Sequence, residues 1–433
     1  MRARIIHFVS GLAALLLLTG AAMKLNAEGG KAGGGASADL WIIGSHPDYQ
    51  WKDVPAAEVP WRHLTHLVLE FLEPTGSNGT YALDVTGYGP STLKEWKTAA
   101  RSYITAAHAA GITVICSLGG EGLGGAVFTE ATGSAAKSEA LAAAIASTLI
   151  DIGFDGVDID WEQAYSAVGA ARLLHSLRTA WPAAVITASV GPAYGDEQVA
   201  IDRTLAGVKD DVDAFMIMLY IPGDQTWTWW VVPVPLTPLH GAPLPWGGTQ
   251  AYSADRELEV WTSLGVPAGK LILGVAGFGL AWVDSNGDKT APVAPYANYD
   301  ALKKDPTCSA PPWTCAAPAD TEYAPSRCAD NRVTQKWVDR AVAASKGALQ
   351  LKADAVGGVT YWAAPASNKL VTVPSPCGSG TVDVGLIFYE TPASMAAKTS
   401  YCKTKGMRGM EFWTLGQMVT AGGRYPILET VKP

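Results

Sequence analysis

Eight short apolar runs separated by helical patterns constrain this chain more than anything else in it. The runs are Leu40–Gly44, Leu64–Leu72, Ile112–Leu118, Gly156–Trp161, Val185–Val190, Val212–Leu219, Lys270–Ala276 and Gly406–Trp413. Amphipathic or Ala-rich segments such as Leu93–Ala110, Ser134–Ile152, Ala167–Trp181 and Ala254–Leu264 lie between most of them. An apolar strand set between helices is a buried parallel strand. Eight βα units in series therefore predict an α/β fold of the (β/α)8 TIM-barrel type. The 433 residues suit one large barrel, and no finer internal repeat is visible.

The seventh unit is interrupted. About a hundred residues separate Trp282 from the helical pattern that starts near Pro392, too many for one barrel loop. A helical piece (Val333–Leu351) and two strand-like runs (Gly358–Trp362 and Gly385–Tyr389) predict a small α+β insertion over residues 284–388, within a barrel spanning 39–433. Such an insertion would form a wall that deepens a cleft at the top of the barrel. Four of the six cysteines (Cys308, Cys315, Cys328 and Cys377) fall in this Pro-rich stretch, where disulfides would brace a small domain. Cys116 and Cys402 sit in apolar or helical patterns and are expected to be buried thiols. At the N-terminus, Arg2 and Arg4 precede the apolar run Leu12–Leu18, and small residues follow. Residues 1–27 read as a signal peptide and 28–38 as a flexible lead-in, so a secreted (extracellular or periplasmic) protein free of the membrane after cleavage is expected.

One strand carries an unusual set of acids. In Asp155-Gly156-Val157-Asp158-Ile159-Asp160-Trp161-Glu162, the apolar residues alternate with Asp158, Asp160 and Glu162, which places three carboxyls on one face. A solvated acidic edge strand would fit poorly with the apolar flanks. Three carboxyls crowded inside a fold cannot all ionise cheaply, so at least one keeps its proton near neutral pH. A protonated carboxylic acid beside ionised ones is what glycosidic bond cleavage needs. Asp155 is out of phase with the other three and reads as a hydrogen-bonding residue at the strand start.

These residues resemble family 18 of the glycoside hydrolases, the chitinase family. The signature D-x-x-D-x-D-x-E is met in full by Asp155, Asp158, Asp160 and Glu162, and S-x-G-G by Ser117-Leu118-Gly119-Gly120. The sixth-strand M-x-Y appears as Met218-Leu219-Tyr220, and the last strand's Trp as Trp413 in Gly409-Met410-Glu411-Phe412-Trp413. Gly274–Trp282 and Tyr389–Tyr401 are similar to the family's seventh strand and the helix after its insertion. Two positions depart from the pattern. Ile221 stands where the family commonly has Asp, and Leu280 where it commonly has Arg, and both family residues help hold sugar.

The resemblance implies cleavage of β-1,4-linked N-acetylglucosamine polymers with net retention, the substrate's own acetamido oxygen attacking the anomeric carbon. Glu162 would protonate the leaving oxygen, its proton affinity raised by acidic neighbours and partial burial. Asp160 would orient the acetamido N–H, and Asp158 would share a proton with Asp160. Tyr220 would hold the acetamido oxygen, with Met218 nearby, and Trp413 would floor the sugar site. Ser117 would support the buried acids, while Gly119 and Gly120 would permit close backbone approach. Trp161 falls on the outward period and should be packing.

Sixteen tryptophans bring further candidates. Trp227, Trp229 and Trp230, with Trp246 further on, suit sugar stacking or packing on the insertion, and Trp51 after the first strand is a similar candidate. His63 and His66 lack a third ligand, so neither a metal nor another cofactor is expected. A net charge of -8 with no basic stripe excludes a nucleic-acid partner. The expected partner is chitin or an N-acetylglucosamine-containing oligosaccharide, met by a monomer. Two other readings stand beside this one. The first is an endo-β-N-acetylglucosaminidase acting on glycoprotein glycans or a peptidoglycan-like polymer. The second is a non-catalytic chitooligosaccharide-binding protein on the same barrel.

Overall fold

The computed structural model describes residues 40–193, 195–220, 235–241, 253–283, 294, 332–354, 357–365, 370–375 and 380–431. The signal peptide and lead-in expected over 1–38 lie outside them, as do Cys308, Cys315, Cys328 and Cys377 with the disulfides expected there. Cys116 and Cys402 are buried free thiols.

Eight parallel strands close the barrel: β1 (Trp41–Pro47), β2 (His66–Ser77), β4 (Thr113–Gly119), β5 (Gly156–Asp160), β6 (Val185–Val190), β7 (Ala214–Ile217), β8 (Leu271–Ala276) and β15 (Gly409–Trp413). Each pairs with the next, and β1 pairs with both β15 and β2, so the ring has no open edge. The predicted TIM barrel is the observed fold. A short strand, β3 (Thr80–Val85), doubles back on β2. It was not expected, although Asn78-Gly79 is a hairpin signal; both residues take positive φ (53° and 85°), as a two-residue turn requires.

Helices form the outer layer, among them α2 (Gly125–Ala131) and α5 (Asp196–Ala206), and Ser or Thr starts several of the others. The side chains of Thr92, Ser134, Ser166 and Ser253 accept the N–H groups of Glu95, Lys137, Gly169 and Arg256 at the starts of α1 (Leu93–Ala109), α3 (Ala135–Ile152), α4 (Ala167–Ala180) and α6 (Ala254–Ser263). Leu141, Ile145 and Leu149 on α3 pack with Val114, Cys116, Val157 and Ile159 from the strands' outer faces. The inward positions at the bottom of the barrel are apolar as well: Ile43, Val68, Ile115, Ala214, Met216 and Ile272 form a plug.

The insertion is a second, antiparallel sheet. Its strands are β9 (Gly279–Val283), β10 (Arg332–Val333), β11 (Gln350–Asp354), β12 (Val359–Ala363), β13 (Val371–Pro374) and β14 (Thr381–Phe388). The sheet takes in β9, which precedes the expected start at 284, because the chain turns out of the barrel directly after β8. The helix expected over Val333–Leu351 is shorter, α7 (Gln335–Ala344). Lys346 and Gly347 adopt positive φ (51° and 85°) and reverse the chain, and the next residues form β11. Trp337 of α7 is buried among Val373, Val384 and Ile387, which gives the insertion a core of its own. The Tyr389 hydroxyl donates to the Gly277 carbonyl at 2.9 Å, tying the end of this sheet to the point where the chain leaves the barrel.

Ile145 is fully buried and Ile150, five residues on and turned to another face of the helix, is 53% exposed. Ile145→Ala is expected to cost about 2–5 kcal/mol through lost burial and a residual cavity. Ile150→Ala should cost less than about 0.5 kcal/mol. Denaturant midpoints of the two variants check this; equal losses would contradict the assigned register of α3.

Candidate active site

The pleat of β5 sorts the acidic run. Val157, Ile159 and Trp161 face the helices, and Trp161 stacks on Phe128 at 5.2 Å with its indole N–H donated to the Gln163 carbonyl. Asp158 and Asp160 face the barrel interior and are 1% and 6% exposed. Asp155 sits before the strand, where Oδ2 accepts the Val114 N–H at 2.7 Å and lies 2.9 Å from His108 Nε2. That is the hydrogen-bonding position read from its phase.

Asp158 is held by three hydroxyls from the neighbouring strands. Ser117 of β4 and Ser189 of β6 donate to Oδ2 at 2.8 and 3.0 Å, and Thr187 of β6 donates to Oδ1 at 2.8 Å. Burial still pushes its carboxyl above the usual range, with the three hydroxyls opposing the shift. Asp160, one step higher, has none of these donors. Its Oδ1 is buried without a hydrogen-bond partner. Burial first, then the charges of Glu162, Asp158 and Glu411, raise its proton affinity well above the ordinary carboxyl value.

The strand end is shaped by glycine. A Cβ on Gly119 (φ 114°) would lie 2.1 Å from the Asp160 carbonyl oxygen, and the Gly120 N–H donates to that same oxygen at 2.8 Å. A side chain at 119 would push β4 off β5 at the point where Asp160 is presented.

Glu162 lies two residues past Asp160, beyond the last ladder residue of β5, and is exposed. The partial burial expected of it is therefore corrected: the strand ends at Asp160, and the side chain stands at the rim of the barrel, over the carboxyls below. Tyr220 follows β7, is buried, and lies nearly parallel to Trp413 with ring centroids 6.2 Å apart. Burial, then the charges of Glu411, Asp160, Glu70 and Glu162, hold its phenol protonated far above its ordinary range. Trp413 ends β15, half-buried, with Phe71 on another side at 5.8 Å. Met218, Tyr220, Leu236, Ala276, Phe278 and Leu280 form an apolar cluster against Trp413. Leu280 therefore joins an apolar wall at the position where the family commonly carries Arg.

Trp51 is a correction. It is 6% exposed, its rings meet Trp96 and Tyr103, and its N–H donates to the His46 carbonyl at 3.0 Å. A ring enclosed between β1 and α1 has no free face for a sugar. Trp227, Trp229, Trp230, Trp246 and Ile221 lie outside the described residues. Among the described residues, no group of three or more His, Cys, Asp or Glu is placed to hold a metal, and no helix is long and apolar enough to cross a membrane.

Two buried acids escaped the sequence reading. Glu70 on β2 and Glu411 on β15 are each 3% exposed and share the inward parity of Val68 and Trp413. Ser45 of β1 donates to Glu411 Oε1 at 2.5 Å, and Glu70 Oε2 is buried without a partner. Burial pushes Glu411 up to about 8; burial and then the charges of Glu411, Asp160 and Asp158 raise Glu70 well above its usual value. Their signal was present in the sequence: a lone acid at an inward position of an otherwise apolar run.

The site thus stacks Asp158, held by three hydroxyls, beneath Asp160, which lacks them, beneath an exposed Glu162, with the rings of Tyr220 and Trp413 alongside. Ser117→Ala removes one donor from buried Asp158 and should cost about 1–3 kcal/mol. The sign with pH follows from linkage. A carboxyl whose folded proton affinity is raised contributes stability that is full below its ordinary titration range and is lost as pH rises through the folded value. Loss of the hydroxyl raises Asp158 further, so the deficit in Tm should widen from acid to neutral pH. A deficit that is constant with pH would remove Ser117 from this role.

The family model "Glycosyl hydrolases family 18" matches residues 48–417. A curated relative, "Endochitinase" of Brugia malayi, is 25% identical over 42% of this chain, a match that spans 37% of the relative's own length. A solved Group IV chitinase of Ostrinia furnacalis aligns with 91% of this chain and 98% of its own at TM-score 0.67 and 17% identity. A chitinase-like agglutinin from Robinia pseudoacacia aligns with 90% of this chain and 97% of its own at TM-score 0.60 and 18% identity. At such identities the two structures speak for the fold alone. With the acidic strand, the barrel and the family match in agreement, this chain belongs to family 18 of the glycosyl hydrolases.

Proposed function

We propose that this chain is an exported, retaining hydrolase of β-1,4-linked N-acetylglucosamine polymers, chitin and its oligosaccharides. The observation that carries the reading is the ascent along one strand from Asp158, held by three hydroxyls, through Asp160, buried with its proton affinity raised, to Glu162 at the rim. A general acid must meet the leaving oxygen, and Glu162 is the member of this series that faces outward. The chitinase names among the relatives, and the family match, support the substrate class.

In this reading a sugar sits on Trp413 with its acetamido group directed down toward Asp160 and Tyr220. The acetamido oxygen attacks the anomeric carbon as Glu162 gives its proton to the leaving oxygen. The positive charge that develops on the acetamido nitrogen is met by Asp160, whose proton passes to Asp158. The three hydroxyl donors of Asp158 keep it in place as that proton arrives. Water then opens the ring on the face the leaving group left, with Glu162 as base, and the product emerges as the β-anomer.

Two other readings each have an observation in their favour. Leu280 in an apolar wall alters a sugar-holding position, which suits an endo-β-N-acetylglucosaminidase with a different acceptor side. The likeness to an agglutinin shows that the fold also occurs outside named chitinases, which suits a binding protein. Retention of Glu162 favours a hydrolase over the latter.

Glu162→Gln is expected to lower kcat on N-acetylglucosamine hexamer by about 10²–10⁴-fold while leaving hexamer binding nearly intact. Product analysis of the native enzyme should give β-anomers. Near-native turnover by the variant, or α-anomers from the native enzyme, would end the proposal. Release of a glycan from a high-mannose glycopeptide with no action on the hexamer would favour the endo-β-N-acetylglucosaminidase.

A further inference from the structure

The aromatic ring beside the acids hangs from the end of a ladder. β15 pairs with β8 as far as Trp413, opposite Ala276, and with β1 only as far as Phe412, opposite Gly44. Trp413 is therefore the last residue that this pairing holds. A small rotation of the backbone there is magnified at the far edge of an indole, so the ring is only as steady as the chain just past the ladder.

Gln50 supplies a hold on that chain. It ends the single helical turn Asp48–Gln50 that follows β1, and both Gln50 and Thr414 are buried. Gln50 Oε1 accepts the Thr414 hydroxyl at 2.8 Å and the Gly416 N–H at 3.1 Å. A backbone N–H can only donate, so the atom that meets it is the amide oxygen, whose two lone pairs serve both donors. A Cβ on Gly416 would lie 2.4 Å from that oxygen, so the approach needs glycine there. Two further contacts complete the clasp. Gln417 Oε1 accepts the Thr414 N–H at 3.1 Å, and the Gly277 N–H, just past β8, donates to the Trp413 carbonyl at 2.5 Å. The Gly277 carbonyl in turn takes the Tyr389 hydroxyl from the end of the insertion. The ends of the first and last strands and of the insertion thus meet on the chain directly after the Trp413 ring.

Building on the hydrolase reading above, we propose that Gln50 is a positioning residue: by taking the Thr414 hydroxyl and the Gly416 N–H on one amide oxygen, it fixes the backbone behind Trp413 and so the plane on which the sugar rests. It acts through Trp413, whose ring stays present when the clasp is opened. The sugar can then still stack, but it is no longer held in line between Asp160, Tyr220 and Glu162. The loss is felt in turnover more than in binding.

The test compares Gln50→Met, which keeps the length of the side chain and removes the acceptor, with Thr414→Val, which removes one donor, and Thr414→Ser, which keeps it. On N-acetylglucosamine hexamer, well below each variant's Tm, kcat should fall about 10–100-fold in Gln50→Met with KM changed less than about threefold. Thr414→Val should fall in the same sense but less, the double variant no further than Gln50→Met, and Thr414→Ser should keep near-native kcat. A merely structural role would lower Tm and leave kcat and KM of the folded protein unchanged, and that result overturns the proposal. Protein labelled with fluorotryptophan gives a second readout, in which the fluorine resonance missing from Trp413→Phe belongs to Trp413. That resonance should shift or broaden in Gln50→Met and Thr414→Val and return in Thr414→Ser; an unmoved resonance in the first two also overturns the proposal. If Gln50→Met does not fold, Thr414→Val carries both readouts. A native enzyme inactive on the hexamer sinks the hydrolase reading and this role with it. An active native enzyme whose kcat survives Gln50→Met sinks this role alone.

Discussion

Burial of carboxyls inside a closed ring of strands, without a cation beside them, is the constraint on which the rest of this structure depends. A carboxylate removed from water must find donors or take a proton. Asp158 finds three hydroxyls, Glu411 finds one, and one oxygen each of Asp160 and Glu70 finds none. The graded supply of donors sets four chemically similar groups apart in how strongly they hold a proton. That difference, more than the number of acids, is what a proton-transfer site requires.

The barrel makes the gradation possible. Neighbouring parallel strands place Ser117 and Thr187 in register with Asp158 on either side. The apolar plug beneath them keeps water from entering from below, and the glycines at the end of β4 let the backbone close around Asp160. Above the rim the strand is over, so Glu162 is exposed to solvent. The antiparallel sheet that begins at β9 grows directly from this rim, next to the apolar wall of Phe278 and Leu280.

Much of the fold was legible before any coordinates. The eight apolar runs lie close to the eight strands, because a strand buried on both faces must be apolar and short, and its flanking helices must be amphipathic. The misses share one cause. The β2–β3 hairpin and the end of α7 both turn on residues with positive φ, Asn78-Gly79 and Lys346-Gly347, where a local turn overrides the periodic pattern around it. The tryptophans divide similarly. Trp161 was assigned to packing from its phase along a strand. Trp51 lies past a strand end, where phase says nothing, and it proved to be core.

By itself the sequence determined the ring of strands, the acid series on one of them and the family, since these follow from periodicity and from residue types at fixed spacing. Only the tertiary structure decided which acids are served by hydroxyls, that Glu70 and Glu411 join them, and that Glu162 is exposed. Those outcomes depend on neighbours from strands far apart in the chain, as between Ser45 and Glu411, 366 residues away. No local pattern encodes which side chain a distant strand will bring alongside, and in a low-dielectric interior that neighbour sets where the proton resides.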